Sequence, residues 1–162
     1  MMQVPTSLMN HIEHQYGPYV VTTDRSRLDL EVIHQFLTHS YWAEGIPREV
    51  VARSLDNSLC FGVFQGKEQV GFARVISDFS TYAYLADVFI LPEHRGRGVG
   101  KFLLRSIVEH ARLQGLRRWT LATRDAHRLY AQFGFRALAH PETFMEIFDR
   151  EIYRKPGAKL GG

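Results

Sequence analysis

The run "YLADVFILPEHRGRGVGKFLLRSIV", residues 84–108, constrains this chain more than any other part of its 162 residues. An apolar, strand-like segment stops at Pro92, glycines follow at 96, 98 and 100, and an apolar stripe begins at once with Val99, Leu103, Ile107 and Val108. A strand, a tight loop and a helix in succession commit the chain to packing helices against a sheet. The loop also has a charge preference. The first turn of a helix leaves backbone N–H groups unpaired and carries partial positive charge. Glycines remove the side chains that would hold an anion off, and Arg95, Arg97 and Lys101 surround it with full positive charges. In physical terms this is a cradle for a pyrophosphate.

The remaining pattern fits one domain over residues 1–162, with a core of about 20–150, an N-terminal arm of 1–18 and a flexible tail of 153–162. Leu30, Ile33, Phe36, Leu37 and Tyr41 share one helical face. Gly45 and Pro47 end that helix, and Pro47 opens a second one running through Leu55. The period then changes. "SLCFGVFQGKEQVGFARVIS" predicts a hairpin turning at Gly66 and Lys67, "YAYLADVFIL" a third strand and "RWTLAT" a fourth. "DAHRLYAQF" predicts a short helix with Asp125 as N-cap and Gly134 at its end, and one or two further strands are expected between Phe135 and Ile152. The order α α β β β α β α β describes a mixed α/β sheet with helices on both faces.

Two familiar phosphate loops fail on spacing. A nucleoside-triphosphate loop needs Ser or Thr after Gly-Lys, whereas Phe102 follows Gly100-Lys101. A dinucleotide turn needs its third glycine at 101 or 103, which are lysine and leucine. What fits is R-x-x-G-x-G, read as Arg95, Gly98 and Gly100. With the strand-then-proline entry "VFILPEHRG" and the later "DAHRLYAQFGF", it resembles the acyl-coenzyme A loop and closing signature of the GNAT superfamily of N-acetyltransferases. The resemblance spans roughly residues 20 to 138 and is densest over 85–135.

That resemblance implies a central mixed, mostly antiparallel sheet in which two parallel strands splay, and acetyl-coenzyme A as the bound donor. Backbone groups of Val88, Phe89 and Ile90 would line the pantetheine arm, and amides of Arg95, Gly96, Arg97, Gly98, Val99, Gly100 and Lys101 would hold the pyrophosphate. Thr123 stands where the family often carries asparagine, and Asp125 and His127 would lie beside the cofactor. Tyr130 matches the tyrosine that protonates the leaving thiolate; a phenol of pKa about 10 keeps its proton at neutral pH. Acetyl transfer to an amine also needs the amine deprotonated. Asp87, an acid inside an apolar strand, is either that base, acting through water, or the partner of a bulge or of Arg74. Tyr84, Glu44, Asp78 or an ordered water are the other routes.

Tyr41, Trp42, Phe79, Tyr82 and Tyr84 form an aromatic group with Glu44, Asp78 and Asp87 close in sequence, a composition suited to a small cationic amine. The alternatives are a lysine or N-terminus of a peptide or protein as acceptor, or a module that binds acyl-coenzyme A without turning it over. A net charge of +3, scattered along the chain, argues for no nucleic acid. Apolar runs far shorter than about 20 residues argue for no membrane span. The absence of an apolar leader and the lone Cys60 point to a cytoplasmic setting. His11 and His14 lack further ligands, so no metal is expected. The resemblance leaves "PETFMEIFDREIY" as a homodimer interface or a bare sheet edge.

Overall fold

The computed structural model describes residues 11–154. Six strands form one sheet in the order β1 to β6: Glu13–Tyr16, Tyr19–Thr22, Leu59–Gln65, Glu68–Ser77, Tyr82–Ile90 and Arg118–Leu121. All neighbours are antiparallel except β5 and β6. Helices α1 (Leu30–Thr38) and α2 (Arg48–Asp56) cover one face, and α3 (Val99–Val108) covers the other. A short α4 (His127–Ala131) follows β6.

Helix α1 starts where Asp29 accepts hydrogen bonds from the amides of Glu31 and Val32, a side-chain N-cap. It buries Ile33 and Leu37. Pro47 sits one position before α2, where its missing N–H costs nothing. The two faces carry separate cores. Phe61, Val63, Val75, Ala83 and Leu85 pack under Leu103, Leu104 and Ile107 of α3. Cys60, Phe72 and Phe89 pack under Ile33, Leu37, Val51 and Leu55.

Three expectations are corrected. The arm assigned to residues 1–18 contains a sheet strand: β1 pairs with β2 from Glu13↔Thr22 to Tyr16↔Tyr19. Its signal was present, since a Gly-Pro dipeptide between two tyrosines, "YGPY", is a turn between short strands. The further strands expected after Phe135 are absent among the described residues; the segment carries only a single helical turn at Pro141–Thr143. The tail assigned to residues 153–162 begins too early. Tyr153 packs against the α1/α2 core, and Arg154 pairs with Glu44 at 2.9 Å. Residues 155–162 lie outside the described residues.

Candidate active site

Strand β5 is where the sheet opens. It pairs with β6 only from Tyr82↔Arg118 to Leu85↔Leu121, so residues 86–90 have no partner on that side. The cause lies at Asp87. Its φ is 55°, a left-handed conformation that a non-glycine residue adopts under strain, and the β4–β5 register slips between Phe72↔Phe89 and Arg74↔Ala86. One extra residue reverses the side-chain alternation. Ala83 and Leu85 face α3 before the bulge, whereas Phe89 faces α1 after it and stacks on Phe36 at 4.0 Å. Beyond the bulge, among the described residues, the edge of β5 at 86–90 carries no strand partner on the β6 side.

Asp87 is held from two sides. Arg74 Nε donates to its Oδ2 at 2.9 Å, and Trp42 Nε1 donates to its Oδ1 at 2.8 Å. The Asp87 and Arg74 side chains are 10% and 15% exposed. Arg74 also donates to the Ser58 hydroxyl at 3.1 Å. Both halves of the structural alternative for Asp87, bulge and arginine pair, are therefore present. Tyr84 lies on the same face, its hydroxyl pKa pushed up by burial and then by the Asp87 charge. Tyr153, absent from the sequence expectations, is pushed up for the same two reasons.

The loop into α3 follows the end of β5. Among the described residues, none of the amides of residues 96–101 donates to a protein acceptor, and Gly98 turns the chain with φ 81°. A Cβ at Gly98 would stand 2.6 Å from the Tyr16 hydroxyl and sit on a left-handed backbone, so a side chain here is strained and displaces Tyr16. Gly100 differs: a Cβ there would meet nothing closer than Ile90 at 3.9 Å, which leaves open space beside that edge. The two arginines point back to the protein. Arg95 donates to the Ile90 carbonyl at 2.8 Å and Arg97 to the Tyr19 hydroxyl at 3.3 Å. The β1–β2 hairpin braces this loop. The Tyr16 hydroxyl donates to the Arg97 carbonyl at 3.1 Å while its ring stacks on Phe102, and the buried Tyr19 hydroxyl meets His94 at 2.9 Å.

Tyr130 lies in the α3-side core, T-stacked on Phe135. Burial, with smaller contributions from Tyr41 and Asp125, pushes its hydroxyl up to about 12. Asp125, expected as the N-cap of α4, makes no capping bond; the N-cap is Ala126, whose amide donates to the Thr123 hydroxyl at 3.0 Å. His127 is exposed at the first residue of α4.

The aromatic group divides. Tyr41 and Trp42 meet edge to face at 5.1 Å, past the end of α1, and the Arg124 guanidinium lies 3.9 Å over Tyr41. Tyr41 also accepts from the Arg124 amide, which ties this corner to the loop before α4. Tyr82 is exposed near Thr120, its hydroxyl bonded to the Thr120 hydroxyl. Phe79 belongs to the α3 side, under the Arg112 guanidinium at 3.8 Å. Of the acids named with them, Glu44 is paired with Arg154, and Asp78 accepts from Ser80, Thr81 and Tyr82 in its own turn. Only Asp87 faces the aromatic corner. Among the described residues no group of three His, Cys, Asp or Glu side chains can hold a metal ion, and no helix is long and apolar enough to cross a membrane.

Comparison with known proteins places this geometry. Residues 24–135 match the model of the acetyltransferase (GNAT) family. A crystal structure from Xanthomonas campestris pv. campestris, a candidate acetyltransferase assigned to the same family, superposes with a TM-score of 0.83. It is 51% identical, over 85% of this chain and 97% of that one. A candidate acetyltransferase of Gibberella zeae is 34% identical over 139 residues, 72% of this chain and 77% of its own length. Thialysine N-epsilon-acetyltransferase of Sus scrofa is 30% identical over 104 residues; the chain spans 61% of that protein.

Proposed function

Because the chain belongs to the GNAT acetyltransferase family, we propose that it transfers the acetyl group of acetyl-coenzyme A to a small primary amine. The observation that carries this reading is the unpaired edge of β5 at residues 86–90 running into the amides of 96–101, none of which donates to an acceptor among the described residues. An extended chain ending in a pyrophosphate needs both, an open strand edge and an anion nest in line. Gly100 leaves the space between them free. When bound there, acetyl-coenzyme A supplies an acetyl thioester. Backbone groups of Val88, Phe89 and Ile90 would hold its pantetheine arm, with Thr123, Asp125 and His127 as further contacts.

Each proton has a holder in this chain. Tyr130 keeps its proton at the hydroxyl oxygen well above neutral pH, because burial disfavours the phenolate, and so serves as the acid at the departing sulfur. Asp87 retains acceptor capacity on its carboxylate oxygens after the bonds to Arg74 and Trp42, and takes the amine proton through water. Trp42, Tyr41 and Tyr84 form the wall past which the amine reaches Asp87. A protonated amine is favoured by that wall and by the Asp87 charge, while Glu44 and Asp78 are engaged elsewhere. The substrate named for the Sus scrofa relative, an amino acid with a terminal amine, belongs to this class.

The test is release of free thiol from acetyl-coenzyme A over a panel of primary amines, with the wild type and Tyr130→Phe. Turnover with one or more amines, reduced 10- to 100-fold in kcat by the substitution, supports the reading. Tight cofactor binding with no thiol release from any amine would make the chain a binding module.

A further inference from the structure

The turn that follows α1 is shared by two distant parts of the chain. Trp42 donates its Nε1 proton to Asp87, and two residues on, Glu44 accepts from Arg154 at 2.9 Å. Gly45, with φ 81°, makes the next contact: a Cβ there would stand 3.5 Å from the Tyr153 carbonyl oxygen and 3.7 Å from the Tyr153 Cβ. The turn is tied to the end of α1. The Ala43 amide donates to the Ser40 hydroxyl at 3.1 Å, and the Gly45 amide to the Thr38 carbonyl at 2.9 Å. It is a seat for whatever rests on it.

What rests on it is the last described turn of the chain. Ile152 and Arg154 donate their amides to the carbonyls of Asp149 and Glu151, at 3.3 and 2.9 Å. The Glu44–Arg154 pair is exposed on both sides and by itself holds this turn weakly. Tyr153 is the anchor. It is half-buried against the α1/α2 core, whereas Met145, Ile147 and Phe148 before it are exposed. The segment thus returns to the body through one side chain.

That side chain lands beside Asp87. Burial and then the Asp87 charge push the Tyr153 and Tyr84 hydroxyls up, so both phenols stay neutral at neutral pH. Among the described residues neither hydroxyl has a hydrogen-bond partner, and neither is sealed off, because no buried side-chain nitrogen or oxygen lacks one. Two phenols from distant parts of the sequence therefore carry unused hydrogen-bonding groups into open space near one carboxylate.

We propose that Tyr153 is a specificity-determining residue of the amine site, seated by residues 44–45 so that its phenol bounds the pocket next to Asp87 and accepts a hydrogen bond from the acceptor ammonium; the assignment rests on the small-amine reading of the site. A neutral phenol offers an ammonium both a lone pair and an aromatic face. Its ring, packed against the α1/α2 core, leaves more room for a slender amine than for an aromatic one.

The test reads binding as well as turnover. In nuclear magnetic resonance of the full chain, with ring-labelled tyrosine and saturating coenzyme A, the Tyr153 signal is the one missing from Tyr153→Phe. Titration with butylamine, lysine and ethanolamine in turn should move it together with the Tyr84 signal for at least one of them. Tyr153→Phe keeps the ring and should bind that amine about fivefold more weakly, the loss of one hydrogen bond. In thiol-release assays the loss should fall in KM rather than in kcat. Tyr153→Ala should raise kcat/KM for benzylamine relative to butylamine about tenfold, with coenzyme A bound as in the wild type. Turnover of an amine that leaves the Tyr153 signal in place would overturn the proposal while the acetyltransferase reading stands, as would unchanged amine affinity in Tyr153→Phe or an unchanged benzylamine preference in Tyr153→Ala. No thiol release from any amine, with no shift of any tyrosine signal, would overturn both.

Discussion

The loop at residues 91–101 and the aromatic corner around Asp87 stand at the two ends of the unpaired part of β5, and they are made in opposite ways. The loop is one continuous segment that presents backbone amides; what it needs is glycine in two places and a hairpin behind it. The corner is assembled from α1, Tyr41 and Trp42 in the turn after it, β4, β5 and Tyr153, and it presents side chains that decide one another's partners. A site of the first kind tolerates change around it and fails at single positions. A site of the second kind is coupled to the stability of the fold.

If that contrast holds, Arg74→Ala gives the largest effect. It strands the Asp87 carboxylate, which is 10% exposed, and should cost about 3 kcal/mol of unfolding free energy. Denaturant titration checks the loss, while the affinity of the remaining folded protein for coenzyme A should change less than threefold. An equal loss of affinity would mean that corner and loop are one unit.

Gly98→Trp is the counterpart. It should weaken coenzyme A at least 100-fold by calorimetry, because the side chain expels Tyr16 and fills the nest. Gly100→Ala sharpens the point: a Cβ fits at 3.9 Å from Ile90, so thermal stability should hold or rise while affinity falls. Tyr16→Phe removes one hydrogen bond to the Arg97 carbonyl and keeps the stack on Phe102. About 1 kcal/mol, or some fivefold in affinity, is expected, with kcat unchanged.

The smallest effect is in pH. Burial pushes the Cys60 thiol from 9.0 up to about 11 and the Tyr130 hydroxyl from 10.0 up to about 12. Between each pair of values the unfolded chain binds fewer protons than the folded one, so stability falls as pH rises from about 9 to 12. Cys60→Ala should flatten the lower part of that decline in denaturant titrations between pH 8 and 12, and a decline that begins near neutrality would contradict the assignment.

The same contrast explains what could be read from the sequence. The loop was legible because its requirements are local: glycine spacing, the proline stop and the apolar stripe of α3 all sit within 25 residues. Helix α1 and the β3–β4 hairpin were legible for the same reason. Partnerships at a distance were not. That Glu44 meets Arg154, that Phe79 belongs to the opposite face and that α4 begins without a side-chain cap, Thr123 taking the Ala126 amide, are settled by tertiary packing. Tyr16 and Tyr19 were passed over although their hairpin carried a turn signal, because nothing local shows that a hairpin braces a loop some 80 residues away. The segment after Phe135 reads as one or two strands, yet among the described residues it carries none.

The central claim is that the open edge along residues 86–90 and the amides of 96–101 form one cofactor site. Amide hydrogen exchange of the full chain, with and without saturating coenzyme A, tests it most directly. Protection is expected at 86–90 and 96–101 together, with little change in β1–β3. Protection elsewhere, with those two segments exchanging as in the free protein, would contradict it.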